Sequence, residues 1–361
     1  MEFLSKLWYK LVRLYVKLGL RSYFQKTQVF GLENIPKNHA ILFVGNHRNG
    51  LIDPIMIATT NPNIHLFLTR ASAFKNKIAD VLLRSINMIP IYRIRDGIDR
   101  IEKNHAIFEA CHHEFEKNGT VLIFPEGNHG LPRRVRQLTK GFARIAFGYF
   151  DNYPNAKLYI VPVGINYTNM QKKGSAVAVY YGKPISVRDY YKPNDDKKAI
   201  DSIKEKVSDS LKELTTQIDD LENHDKIERV LVENGIDFLN PIDANKKIDE
   251  IDNWDIPISA PTHKDSFYQN SIRFLFNLNS LLPILLWRSL KDKPKDIVLI
   301  PTFLFGLSLG LLPLYYLLIS AAISCFINSY WGFVYFIGSV LLVLLYKNSI
   351  YTDSLTTNIP N

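Results

Sequence analysis

Val44-Gly45-Asn46-His47-Arg48-Asn49-Gly50-Leu51-Ile52-Asp53-Pro54 closes one apolar run, residues 40–44, and opens another, residues 51–58. A run rich in Ile, Leu, Phe and Val that stops at Gly45, followed by Asn and Gly and then a new apolar segment, reads as strand, turn, helix. His47 then stands at the mouth of the turn and Asp53 in the first turn of the helix. Residues six apart on an unbroken α-helix are rotated by roughly 240°, so these side chains meet only if residues 48–50 fold back. Gly50 is the residue able to take a positive φ there. A neutral imidazole held by a carboxylate is a general base, the carboxylate fixing the tautomer and stabilising the imidazolium that forms. The same two residues also fit a turn histidine and an aspartate suited to a helix dipole, and alone they leave both readings open.

Outward from this stretch, apolar runs and helical periodicities alternate. Residues 27–32 and 40–45 read as strands around a turn at Asn34-Ile35-Pro36, residues 64–68 as a strand and residues 73–85 as a helix. Residues 88–92 read as a strand delivering Arg93, and residues 98–117 as a helix ended by Asn118-Gly119. Residues 120–124 form a short strand stopping at Pro125-Glu126-Gly127. A helix over residues 136–150 and strands over 158–165 and 176–181 follow. The pattern predicts an α/β fold, a mixed sheet flanked by helices, whose site lies at the carboxyl ends of strands. His47, Arg93 and Glu126-Gly127 all fall at such ends.

The rest of the chain is of another kind. Residues 195–221 read as a charged structural helix, residues 241–261 as an acidic, irregular linker, and residues 273–290 as an interfacial apolar segment. Residues 297–346 contain no Asp, Glu, Lys, Arg or His. As one straight helix that run would be about 75 Å long against a hydrocarbon core of about 30 Å, so it must double back, and Ile327-Asn328-Ser329-Tyr330 is the natural turn. The two-helix transmembrane hairpin so predicted is flanked by Lys291, Lys293, Lys295 and Lys347, with no basic residue in its turn, which puts both ends on the cytoplasmic side.

At the other end, residues 1–24 are amphipathic. Phe3, Leu7, Leu11, Leu14 and Leu18 share a face edged by Lys6, Lys10, Arg13, Lys17 and Arg21, the pattern of a helix lying in the headgroup region. No small-residue cleavage site follows it, so no removable signal peptide is expected. The expected division is an interfacial helix at 1–24, an α/β domain at 25–225, a linker and interfacial segment at 226–296, a membrane hairpin at 297–346 and a polar tail at 347–361. Residues 1–190 carry 27 Lys and Arg against 13 Asp and Glu, while residues 191–296 carry 16 against 21. The first half therefore suits an anionic partner or membrane face. Two cysteines, Cys111 and Cys325, make neither a disulfide framework nor a zinc spacing. No cofactor, metal or nucleic-acid partner is expected; membrane lipids explain the charge as well as a polynucleotide would.

His47 and Asp53, Arg93, Phe124-Pro125-Glu126-Gly127 and Val161-Pro162-Val163, in that order, resemble the glycerolipid acyltransferase superfamily. Its glycerol-3-phosphate and lysophosphatidate acyltransferases move an acyl group from a thioester to a glycerol hydroxyl. The family's blocks are H-x4-D, G-x-x-F-I-x-R, F-P-E-G-T-R-S and a V-P-V-like strand. Here five residues separate His47 from Asp53, a variant resembling the glycerol-3-phosphate/dihydroxyacetone-phosphate branch. Asn87 stands for Gly and Pro90 for Phe in the second block, and Asn128-His129-Gly130 replaces Thr-Arg-Ser in the third.

The resemblance implies His47 as general base, Asp53 as its holder, and acyl-CoA or acyl carrier protein as thioester co-substrate. The acceptor would be a glycerol phosphate or lysophospholipid, bound by Arg93, Gly127 and Lys140, with Glu126 acting through a hydroxyl or by positioning an arginine. Arg133, Arg134 or Arg136 would replace the missing motif arginine. A thioester and an alcohol need no covalent intermediate, so the absence of a placed Ser or Cys nucleophile is expected. Two other classes keep a foothold. Gly306-Leu307-Ser308-Leu309-Gly310 spells the serine-hydrolase elbow, though inside the predicted span, where Gly306 and Gly310 read better as a small-residue packing face. A non-catalytic lipid-binding scaffold would keep the fold and the basic surface.

Overall fold

The computed structural model describes residues 2–93, 102–193, 197–250, 266–294 and 296–350. Lys295, the first residues of the helices expected from 98 and 195, most of the expected linker after residue 250 and the tail from 351 lie outside them. Eight strands among the described residues form one sheet: β1 Lys26–Phe30, β2 Ala40–Gly45, β3 His65–Arg70, β4 Met88–Ile91, β5 Thr120–Ile123, β6 Leu158–Tyr167, β7 Ala176–Tyr181 and β8 Ile185–Ser186. Their order is β1-β7-β6-β2-β5-β3-β4, with β8 on β6. The pairs β6 with β7 and β6 with β8 are antiparallel and the others parallel. The expected α/β class is therefore the observed one. β1 and β2, neighbours in sequence, lie apart in the sheet.

Every residue of β2 is buried, because the strand is central and covered on both faces. Ala40, Leu42 and Val44 enter one core with Val121, Ile123 and Ile160. That core lies under α4 Asn104–Glu116, α5 Gly141–Asn152 and α6 Lys197–Glu213. Ile41 and Phe43 point the other way and join Leu122, Val161 and Val163 beneath α2 Ile52–Thr60 and α1 Glu2–Tyr23. Since β2 through β6 run parallel, the residues following β2, β4 and β5 and the last residue of β6 come out along one edge.

Several boundaries moved for visible reasons. α5 starts at Gly141 rather than 136, because the backbone before it is used sideways: Ile218 N donates to Arg133 O at 2.7 Å and Val135 N to the Gln217 side chain at 2.9 Å. The expected linker and the stretch before it contain α7 His224–Glu233 and α8 Pro241–Glu250. Proline suits the first turn of α8, and Ala244 completes a small core with Ile218, Ile227, Leu231 and Phe238. The segment read as interfacial is α9 Phe267–Asn279, capped by the Ser266 and Gln269 side chains, followed by α10 Leu281–Leu290. α3 is Lys77–Ser85, capped by Asn76.

The hairpin is α11 Ile300–Phe326, continuous through Pro313, and α12 Ser329–Ser349, capped by Asn328. Both helices are long and apolar enough to cross a membrane. Their close approach is at Gly332, where a Cβ would sit 1.9 Å from Ser324 Oγ. Among the described residues nothing packs on the expected face at Gly306 and Gly310, since a Cβ at either would meet nothing within 4 Å. α1 is two-sided. Tyr9, Leu20 and Tyr23 are buried in the core, and Arg13 donates to the carbonyls of Asn61, Pro62 and Asn63, while Phe3, Leu7, Leu11, Leu14 and Leu18 stay exposed.

Candidate active site

β2 ends at Gly45, and Asn46 locks the exit. Its amide donates to Ile165 O at 3.1 Å and its carbonyl accepts Ile165 N at 2.7 Å, tying the turn to β6. The chain then folds back as the spacing required: Gly50 has φ +24°, and His47 Nδ1 lies 2.9 Å from Asp53 Oδ2. The same oxygen accepts the backbone N–H of Arg48 at 2.8 Å and of Asn49 at 2.6 Å, and Oδ1 accepts the Tyr167 hydroxyl at 2.6 Å. Four donors thus converge on a carboxylate whose side chain is fully buried, beside 17% exposure for His47. A carboxylate only accepts hydrogen bonds, so Nδ1 carries the proton and Nε2 presents its lone pair. Phe124 stacks on the imidazole, centroids 4.5 Å apart and planes 26° off parallel, fixing the ring's plane.

A second layer holds the histidine's backbone. Glu126 Oε1 accepts His47 N–H at 3.3 Å, Arg136 Nε donates to Glu126 Oε2 at 2.5 Å, and Arg136 Nη2 donates to His47 O at 3.1 Å. Burial pushes the Glu126 carboxyl up from the usual carboxylate range, against the pull of Arg136. Arg136 also binds the side chain and carbonyl of Asn128. Gly127 turns with φ +74°, and Arg93 Nη1 donates to its carbonyl at 2.9 Å. Lys140 is exposed at the start of α5, joined to this loop through Thr139 N, which donates to Pro125 O at 2.8 Å.

One sequence expectation needs correcting. Arg133 is not an acceptor ligand. Its guanidinium is buried, stacked 3.7 Å above Phe238, and donates to Glu228 Oε1 and to the carbonyls of Tyr167 and Thr168 at 2.7 to 2.8 Å. It fastens α7 to the end of β6. Of the two ways Glu126 could serve an acceptor, through a hydroxyl or by positioning an arginine, its contacts fit the second, since its side chain is 1% exposed and both oxygens are engaged. It braces His47 and orients Arg136. The sequence also gave no sign of Tyr167, which is 114 residues from Asp53 in the chain, or of Arg48, which turns inward to the Leu131 carbonyl. Burial lowers the Arg48 guanidinium to about 10, with the nearby Arg133 acting in the same direction.

His129 stands where the family motif carries arginine. Its ring lies edge-on to His47, centroids 5.7 Å apart, and its Nε2 is 2.8 Å from Asp296 Oδ2. Burial holds it below the usual histidine range. Ser308, by contrast, lies mid-helix in α11 with no strand-to-helix elbow. Among the described residues no His, Cys, Asp and Glu cluster could hold a metal ion. What the site can do is take a proton: a fixed tautomer, a buried counter-charge and one accessible ring nitrogen.

Residues 26–166 match the family model described as Acyltransferase. The chain is 29% identical over 136 residues to glycerol-3-phosphate O-acyltransferase 1 of Saccharomyces cerevisiae, covering 36% of this chain and 17% of the yeast protein. It is 30% identical over 145 residues to the yeast glycerol-3-phosphate O-acyltransferase 2, covering 40% and 18%. An uncharacterised acyltransferase of Schizosaccharomyces pombe is 25% identical over 167 residues, covering 44% and 24%. The chain thus spans less than a quarter of the length of these relatives. Among solved structures, the 1-acyl-sn-glycerophosphate (LPA) acyltransferase PlsC of Thermotoga maritima aligns with a TM-score of 0.42 at 20% identity, over 57% of this chain and 79% of that one.

Proposed function

We propose that this chain, whose residues 26–166 match the Acyltransferase family model and which is similar to yeast glycerol-3-phosphate O-acyltransferases, is a glycerolipid acyltransferase that transfers a fatty acyl group from a thioester to a hydroxyl of a glycerol phosphate or lysophosphatidate. One observation carries the reading: His47 Nδ1 at 2.9 Å from a fully buried Asp53, at the carboxyl edge of the parallel strands.

His47 Nε2 takes the acceptor's hydroxyl proton as the oxygen attacks the thioester carbonyl carbon. The new C–O bond forms, the C–S bond breaks, and the thiolate leaves with the proton returned from the imidazolium. Asp53 stabilises that imidazolium and keeps the ring in register. Arg93 and Arg136 contact the Glu126-Gly127 turn, where an acceptor phosphate would be held, and Lys140 follows at the start of α5. Acyl-CoA or acyl carrier protein would serve as donor. The domain would lie on the cytoplasmic face, as the lysines flanking the hairpin favour.

The test is purified protein in detergent, offered glycerol 3-phosphate, its 1-acyl form and other lysolipids, each with acyl-CoA and with acyl carrier protein, the products followed by mass. An acylated glycerol phosphate supports the reading. Transfer to none of these acceptors, or hydrolysis of the thioester at the same rate with and without acceptor, removes it.

A further inference from the structure

The apolar hairpin does not start at a distance from the chemistry. Asp296, which caps the turn leading into α11 by accepting Val298 N–H at 3.1 Å, also holds His129 at 2.8 Å. Six residues on, Thr302 Oγ1 accepts the backbone N–H of Leu51 at 3.0 Å, inside the fold-back that joins His47 to Asp53. Gly50 is closed over by the same segment, for a Cβ there would lie 2.7 Å from Thr302 Oγ1 and 2.9 Å from Leu299 Cδ2. Val298 and Phe305 are buried in the core shared by Ile52, Met56 and Ile57. An anchor needs length and apolar surface only; it has no need of hydrogen bonds to the turn carrying the base or to the ring beside it.

We propose that residues 296–302 form a wall of the active site, Asp296 positioning His129 at the rim of His47 and Thr302 holding the turn that carries His47 and Asp53. His129 then belongs to the acceptor's pocket, oriented by a carboxylate at the entry to the hairpin. The membrane helix and the transfer site are one construction, which places the reacting hydroxyl at the level where α11 starts. The inference rests on the acyl-transfer reading for its kinetic arm and on geometry alone for its structural arm.

The experiment compares Asp296→Ala, Asp296→Glu, Thr302→Val and Thr302→Ser with wild type and with Leu314→Ala, an exposed mid-hairpin control, all as full chains in detergent. For loss of a charge-assisted contact, Asp296→Ala should lower kcat/KM for the acceptor by about tenfold, the thioester KM staying within about twofold. Asp296→Glu should recover part of it. Loss of a neutral hydrogen bond in Thr302→Val should lower kcat by about threefold to tenfold, with Thr302→Ser near wild type. Amide hydrogen exchange over residues 46–53 should quicken in Thr302→Val and stay unchanged in Leu314→Ala.

Wild-type kinetics in both Asp296→Ala and Thr302→Val would overturn the proposal. So would equal losses toward acceptor and thioester together with a lowered unfolding midpoint, which is what a purely structural contact gives. If the wild type acylates no acceptor, the functional reading fails separately and the exchange arm decides: unchanged exchange at residues 46–53 in Thr302→Val rejects the coupling, and faster exchange upholds it.

Discussion

Asp53→Asn isolates the charge of the central pair from its shape. The side chain is fully buried and receives four hydrogen bonds. An amide oxygen in the place of Oδ2 can still accept from His47 Nδ1, Arg48 N and Asn49 N, and the new NH2 can donate to Tyr167, whose hydroxyl can turn to accept. The turn should therefore persist. What disappears, in the proposed reaction, is the attraction between a carboxylate and the imidazolium formed when the acceptor proton is taken. For unit charges about 4 Å apart at an effective dielectric constant of about 20, that is about 4 kcal/mol, or roughly a thousandfold in rate. The assay is thiol release from acyl-CoA with glycerol 3-phosphate as acceptor, with the unfolding midpoint measured beside it. Asp53→Asn should lose kcat by about that factor with a small change in midpoint. Asp53→Ala should lose kcat and stability together, because it strands two buried amides and a phenol. An Asp53→Asn enzyme within about tenfold of wild type would show that the carboxylate only shapes the turn.

Three further outcomes follow from particular side chains. Arg133→Met should cost about 3 kcal/mol of stability by leaving Glu228 and two carbonyls without their donor, while the acceptor KM in the folded enzyme stays within about twofold; a selective rise in KM would return Arg133 to the acceptor site. Arg93→Lys keeps the charge but loses the planar fork, so the acceptor KM should rise, with the thioester KM unaffected; steady-state kinetics varying each substrate in turn would show a defect confined to the thioester if Arg93 acts elsewhere. His65, buried beside Thr120, is held neutral by burial to about 3 against 6.5 for an ordinary histidine. The unfolded chain binds a proton there that the folded one refuses, so this residue's contribution is lost as pH falls from about 6.5 toward 3, at up to about 1.4 kcal/mol per unit. His65→Phe should flatten that acid limb in midpoints measured between pH 7 and 5, and an unaltered slope would refute the assignment.

The strand ending at Gly45 and the fold-back at Gly50 were legible because backbone geometry leaves few alternatives: six apolar residues make a central strand, and a histidine and aspartate six apart meet only around a glycine. The hairpin was legible for the same kind of reason, since an uncharged run of that length cannot sit in water. What stayed hidden depends on contacts distant in the chain. Tyr167 reaches Asp53 from the far end of β6, and its position in a V-P-V-like strand signals burial, not a hydroxyl aimed at a carboxylate. Three arginines within residues 133–136 look alike in sequence; only packing sends Arg133 under Phe238 and Arg136 around Glu126. The helices at 224–233 and 241–250 were masked by acidic composition, because their apolar stripe is narrow and closes a small core of its own. The Asn128-His129-Gly130 departure was visible as a loss of arginine, but Asp296, which contacts His129, lies 167 residues away.

That His47 is the base of an acyl transfer is tested most directly by comparing His47→Ala with Ser308→Ala in one assay, acyl-CoA and glycerol phosphate acceptors with the product weighed by mass. His47→Ala should lose at least about a hundredfold in kcat, while Ser308→Ala, altered mid-helix in α11, keeps wild-type turnover. Near wild-type transfer by His47→Ala, with activity abolished in Ser308→Ala, would contradict the account and return the chain to the serine hydrolases.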